Sequence, residues 1–231
     1  IFYIHIIFYN TYNKLGHYTL ILSALPAFNC PLIVNLLKSL FTHLFQCFQV
    51  KIAVYYESLC PDSKAFITTQ LAPIWRELRG SVKVKLVPYG KSTHDKPNGK
   101  WLFNCHHGED ECYGNKLQAC ILKDKKLQDT DKMEMVICLM GQTNPDKSLD
   151  TCLQQVKREG ESDKLKKCAA GEQGDNLLAA YGDKTDAVQR PLSFVPTVII
   201  NEKFDQALQD EALKDLKAVV CRVATNKPAS C

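Results

Sequence analysis

From residue 50 onward, apolar and polar positions follow distinct rhythms. Val50–Tyr56 (VKIAVYY) is rich in β-branched and aromatic residues and predicts a buried strand. A short connection, Glu57-Ser58-Leu59, leads to Cys60-Pro61-Asp62-Ser63 and then to a helical pattern running to about Leu78. Pro61 suits the first helical position, where an N–H has no intrahelical carbonyl to serve. Pro73 is expected to kink or interrupt that helix, and Gly80 to end it. Val82–Val87 (VKVKLV) alternates apolar and charged residues, as a half-buried strand does. Strand, helix and strand in this order predict a βαβ unit with parallel strands.

Residues 91–104 are polar, contain Pro97, Asn98 and Gly99, and read as a loop. Helical stretches are expected near 113–123, 130–140, 147–157, 161–169 and 173–181, with Gly141 and Asn144-Pro145 separating two of them. Phe194–Asn201 (FVPTVIIN) predicts a strand entered through Pro196, and Asp210–Val223 a last helix. The fold class is therefore α/β: a βαβ unit, a helical insertion over about 109–183, then a further strand and helix.

Residues 1–49 break this rhythm. They hold no Asp or Glu and only two basic residues, Lys14 and Lys38. Tyr18–Phe28 (YTLILSALPAF) has the length of a signal-peptide apolar core. Leu32, Leu36, Leu40 and Leu44 recur at helical spacing. Pro26, Pro31, His17, Asn29 and Asn35 argue against a spanning helix, which needs about 20 predominantly apolar residues. The expected division is a signal or leader segment over 1–49 and one folded domain over 50–231. A membrane anchor, or upstream sequence foreign to the mature protein, are the alternatives. Membrane association is expected only if 1–49 is a true anchor.

Charge is spread evenly, with 29 basic and 25 acidic residues, and no basic stripe of the kind a nucleic-acid binder shows. No nucleic-acid partner is expected. Cysteine changes the picture more. Eleven Cys in 231 residues point away from the reducing cytosol and toward the secretory route. Cys30 and Cys47 lie in the N-terminal segment, leaving nine in the domain. Setting Cys60 aside leaves eight, enough for four disulfides with 105 connectivities that the sequence does not resolve.

Cys60 is the candidate reactive sulfur. The thiolate is the nucleophile in disulfide chemistry, and a helix N-terminus lowers a cysteine pKa from about 8.5 to roughly 3.5–7.5. Its place between a strand and a helix is what that activation needs. A buried or bridged cysteine at a helix start is the plain alternative.

The most specific stretch is Cys105-His106-His107-Gly108-Glu109-Asp110-Glu111-Cys112-Tyr113-Gly114-Asn115-Lys116-Leu117-Gln118-Ala119-Cys120. It resembles the signature of the gamma-interferon-inducible lysosomal thiol reductase (GILT) family, C-Q-H-G, two residues, E-C, two residues, N, four residues, C. Cys105, His107, Gly108, Glu111, Cys112, Asn115 and Cys120 all match; His106 stands where the family commonly has Gln. Tyr55–Pro61 and Val87–Gly90 extend the resemblance over about residues 50–223. It implies a thioredoxin-like fold with a helical insertion and reduction of protein disulfides at acidic pH in endosomes and lysosomes. The substrates it implies are disulfide-containing proteins. Phe194–Val198 also resembles the cis-proline segment of thioredoxin-like folds, which places Pro196 beside Cys60. An ordinary trans proline at a strand start is the alternative.

The family's C-x-x-C pair is Cys60-Pro61-Asp62-Ser63 here, so the resolving sulfur is missing. Ser63 is expected to hydrogen-bond the Cys60 thiolate instead. Turnover then requires an external thiol such as glutathione or cysteine, with no bound cofactor. The alternative is a non-catalytic interaction protein that keeps the fold and has lost turnover. Zinc on Cys105, His107, Cys112 and Cys120 is disfavoured, because their spacing lacks the tight pairs of structural sites; disulfides are the favoured reading and no metal is expected. The chain has no N-x-S/T sequon, so either a lysosomal or an extracellular destination fits.

Overall fold

Strand β3 (Val50–Tyr56) is the centre of the domain. The computed structural model of the protein describes residues 4–8, 16–20 and 49–231. The N-terminal unit, residues 1–47, contains β1 (Ile4–Phe8) and β2 (Gly16–Leu20), paired antiparallel with Ile6 opposite Tyr18. The candidate leader core begins within β2 and otherwise falls outside the described residues, as do Leu32, Leu36, Leu40, Leu44, Cys30 and Cys47.

The domain follows β3 with α1 (Pro61–Ala65), a π-helical turn (Phe66–Leu71) and α2 (Ala72–Glu77), in one continuous run. Pro73, expected to kink or interrupt this helix, lies inside it as the second residue of α2, just past the π-helical turn. A proline has no N–H and its ring collides with the carbonyl four residues back. The wider i→i+5 turn just before it absorbs that conflict without breaking the helix.

Strand β4 (Val82–Pro88) returns parallel to β3, with Val54 opposite Leu86. Residues 91–104, expected to be a loop, instead form a small hairpin. Its strands β5 (Thr93–Asp95) and β6 (Leu102–Asn104) pair antiparallel, and Pro97–Gly99 makes the 3₁₀ turn between them. Asn98 and Gly99 take positive φ (53° and 78°) there, conformations that these residue types tolerate.

Five helices make the insertion: α3 (Glu109–Lys123), α4 (Asp129–Met140), α5 (Pro145–Gln155), α6 (Ser162–Ala170) and α7 (Glu172–Asp186). Strand β7 (Thr197–Ile200) then pairs antiparallel with β3, and α8 (Gln206–Ala212) and α9 (Leu216–Val223) end the domain. The sheet order is β4-β3-β7.

Alternation along these strands separates two apolar cores. Val50, Ile52, Val54 and Tyr56 face one side with Val198 and Ile200, packed under α1–α2, the insertion helices and α9. Tyr55 and Ile199 face the other, with Leu178, Tyr181, Leu192, Val195 and Cys60. That period-2 division is what the sheet's pleat requires.

Four disulfides join Cys105 to Cys112, Cys120 to Cys168, Cys138 to Cys152, and Cys221 to Cys231. Two of them tie α3 to α6 and α4 to α5, so the insertion is clamped internally. Among the described residues, Cys60 is the one cysteine left unpaired.

Candidate active site

The end of β3 hands the chain to the helix through Glu57-Ser58-Leu59-Cys60. Cys60 occupies the cap position, with extended backbone (φ −61°, ψ 123°), and Pro61 opens the helix. The Cys60 carbonyl accepts the Lys64 N–H at 3.0 Å, the first intrahelical bond. At this position the leading N–H groups of the helix lack intrahelical acceptors. The Cys60 residue is 6% exposed.

Across the sheet, Tyr55 pairs with Thr197, so Pro196 sits at the end of β7 adjoining the end of β3 that leads to Cys60. The Val195–Pro196 peptide is cis and Pro196 is buried. Val195 and Cys60 share the second apolar core. Ser63 is fully buried, and its Oγ accepts the Glu57 N–H at 3.4 Å. The hydrogen bond that the structure gives Ser63 thus runs to the backbone three residues before Cys60.

The signature segment wraps around the same loop. The Cys105–Cys112 bridge closes a turn holding His106, His107 and Gly108, and Gly108 caps α3 at φ 83°. Along α3, Glu111, Asn115 and Gln118 fall at i, i+4 and i+7, one face of the helix. Each contacts the end of β3 or the loop that follows it, Glu111 through its backbone. The Glu111 carbonyl accepts the Ser58 Oγ hydrogen at 3.2 Å. Asn115 Oδ1 accepts the Ser58 N–H at 2.9 Å. Gln118 Oε1 accepts the Tyr56 hydroxyl at 2.5 Å, and its amide donates to Met140 Sδ at 3.3 Å. Gln118 was not among the sequence candidates, though its spacing from Glu111 and Asn115 carries the signal. Cys120, one turn on, is bridged to Cys168. With Cys105, Cys112 and Cys120 all in disulfides, the zinc set that includes them has no thiolates to offer.

Two carboxylates are buried here. Glu57 has a side chain with 0% exposure. Its Oε1 accepts the Lys91 N–H at 2.7 Å, and its Oε2 lies 3.4 Å from His106 Nδ1 and 3.3 Å from His107 Nδ1. Glu111 accepts the His107 N–H at 3.1 Å and contacts His107 Nδ1 at 2.6 Å. Burial, and then the nearby Glu57 charge, push the Glu111 carboxyl above its ordinary range, against the hydrogen bonds from His107. A carboxyl raised in the folded state contributes its full stability below the unfolded value, about 4.5, and loses it as pH rises through the folded value. Relative to Glu111→Gln, the wild type is therefore expected to lose unfolding free energy as pH rises above about 4.5, measured by urea denaturation at each pH. A flat difference between the two proteins would contradict this.

Glu57 reaches its place only because residue 90 is Gly. Gly90 has φ 65°, and a Cβ there would lie 2.1 Å from Glu57 Cγ. Gly90→Ala is expected to cost about 1–3 kcal/mol from backbone strain alone, before the clash is counted. Denaturant melts of the two proteins measure it.

Comparison with known proteins agrees with this arrangement. The family model described as "Gamma interferon inducible lysosomal thiol reductase (GILT)" matches residues 51–156. A gamma-interferon-inducible lysosomal thiol reductase-like protein of Anopheles gambiae is 36% identical over 194 residues, covering 79% of this chain and 80% of that protein. GILT-like protein 1 of Drosophila melanogaster is 34% identical over 210 residues, covering 85% and 84%. The gamma-interferon-inducible lysosomal thiol reductase of Mus musculus is 34% identical over 184 residues, covering 79% and 71%. Among solved structures, DsbA of Chlamydia trachomatis superposes with a TM-score of 0.53 at 14% identity, covering 71% of this chain and 81% of its own. BdbD of Bacillus subtilis gives 0.52 at 14%, covering 71% and 88%. These two share the fold, which is thioredoxin-like α/β with a helical insertion.

Proposed function

The chain belongs to the gamma-interferon-inducible lysosomal thiol reductase family, and from that premise we propose that it reduces protein disulfides through Cys60 alone. Membership makes it a thiol–disulfide oxidoreductase; the single-thiol route is the finer reading. One observation carries it: Cys60 is unpaired at the junction of β3 and its helix, and the position three residues on is a buried Ser.

In the proposed reaction, the Cys60 thiolate attacks one sulfur of a substrate disulfide. A Cys60–substrate mixed disulfide forms and the other substrate sulfur leaves as a thiolate. The positive end of the helix favours an anion at this place. Ser63 retains a hydroxyl hydrogen to donate while its oxygen accepts from Glu57 N–H. An external thiol attacks the Cys60 sulfur and releases the second substrate thiolate. A second external thiol then frees Cys60 and leaves as the oxidised dimer. Overall one substrate disulfide becomes two thiols and two external thiols become one disulfide. Glu111, Asn115 and Gln118 act as positioning residues that hold the loop before Cys60. Pro196 flanks the sulfur from β7.

Relatives named as lysosomal thiol reductases support an endolysosomal or secreted setting, and the proposal adds to it an acidic pH and disulfide-containing protein substrates. Among the described residues, no helix is long and apolar enough to cross a membrane.

The same Ser63 favours a second reading, an interaction protein that keeps the fold without turnover. Wild type and Ser63→Cys separate the two. Under the single-thiol reading, wild-type reduction of a denatured disulfide protein rises in proportion to external thiol, and Ser63→Cys weakens that dependence and raises turnover severalfold. Zero wild-type turnover at every thiol concentration, with turnover appearing only in Ser63→Cys, would establish the second reading.

A further inference from the structure

The two departures from the family pattern, Ser63 and His106, meet on one residue. Ser63 binds the backbone of Glu57, and His106 lies against its carboxylate. We propose that Glu57, His106 and His107 form a binding site for a divalent cation of the zinc class.

One ligand atom from each of these three side chains lies within 4.8 Å of the other two. The Glu57 Oε2 distances, 3.4 Å to His106 Nδ1 and 3.3 Å to His107 Nδ1, are longer than an ordinary N–H···O bond. They match the edge of a tetrahedron with zinc–ligand arms of 2.0–2.1 Å, about 3.3–3.4 Å. Two imidazoles and one carboxylate suit zinc and its neighbours, whereas Mg²⁺ and Ca²⁺ prefer all-oxygen shells. The carboxylate is wholly buried, while the His106 and His107 side chains are 53% and 32% exposed. The site therefore opens to solvent on its imidazole side, which leaves room for a water as fourth ligand.

Charge favours occupancy. Glu57 and Glu111 are both buried in one small volume, and among the described residues no Lys or Arg side chain pairs with either. A dication bound to Glu57 would supply the positive charge that no neighbouring Lys or Arg side chain provides among the described residues. The inference concerns His106 in particular, since the family's usual Gln at this position is a far poorer zinc ligand.

The test uses the untagged full chain with its free thiols alkylated by iodoacetamide, so that Cys60 neither binds metal nor affects the outcome. Zinc chloride is titrated in competition with a fluorescent zinc chelator. One zinc per wild-type chain is expected, with affinity at least about tenfold weaker in His106→Gln and in Glu57→Gln. His106→Gln changes an exposed side chain to the family residue and leaves the buried carboxylates intact. A zinc-dependent rise in melting temperature of the wild type, absent with magnesium chloride, is the second expected readout. No stoichiometric zinc in the wild type, or equal affinity in His106→Gln, would overturn the site.

Discussion

Replacing Cys60 by Ser is expected to reduce disulfide reduction at about pH 5 to the uncatalysed background, even with abundant external thiol. Only a thiolate performs the attack, and a serine hydroxyl is not ionised at that pH. The other eight domain cysteines are already committed to four bridges. The fold should survive the change, because Ser is smaller and is itself a favoured helix cap. Circular dichroism of the variant should therefore match the wild type while turnover disappears. The assay uses a denatured disulfide-bonded protein as substrate. Substantial residual activity would move the chemistry to another sulfur, such as Cys30 or Cys47.

The largest effect on stability is expected from breaking the Cys120–Cys168 bridge. It spans 48 residues in sequence and ties α3 to α6, with both sulfur-bearing residues buried. Loop-closure entropy alone makes such a bridge worth about 4 kcal/mol. The Cys105–Cys112 bridge spans only seven residues, for which the same relation gives about 2.5 kcal/mol. Cys120→Ser with Cys168→Ser is thus expected to unfold at markedly lower urea than Cys105→Ser with Cys112→Ser. The consequence for chemistry is indirect. Helix α3 carries Glu111, Asn115 and Gln118, so loosening it frees the loop that ends in Cys60. Equal losses from the two bridge deletions would contradict the entropic account.

Much of this was legible in the residues. The β-branched run Val50–Tyr56, the alternation in Val82–Val87 and Pro61 located the βαβ unit and placed Cys60 at its turn. The helical pattern near 113–123 located most of α3. What stayed hidden depends on chain segments far apart in sequence. Glu57 looked like a connector residue. Its burial became evident only with Lys91, His106 and His107 around it, 34 to 50 positions away. Disulfide pairing has the same origin, since spacing alone leaves 105 choices. The β5–β6 hairpin escaped because three-residue strands are too short to show alternation. In that stretch Pro97, Asn98 and Gly99 marked a turn between strands, not an extended loop. The π-helical turn before Pro73 escaped because periodicity reports a helix without reporting which carbonyl each N–H meets.

The most direct test is to mix the oxidised-substrate protein with wild-type chain at about pH 5, quench with acid before adding external thiol, and map the adduct by peptide mass. The expected product is one substrate chain disulfide-linked to the peptide bearing Cys60, with the four domain bridges intact. An adduct on any other cysteine, or a Cys60 that stays unmodified while substrate thiols appear, would contradict a mechanism centred on that sulfur.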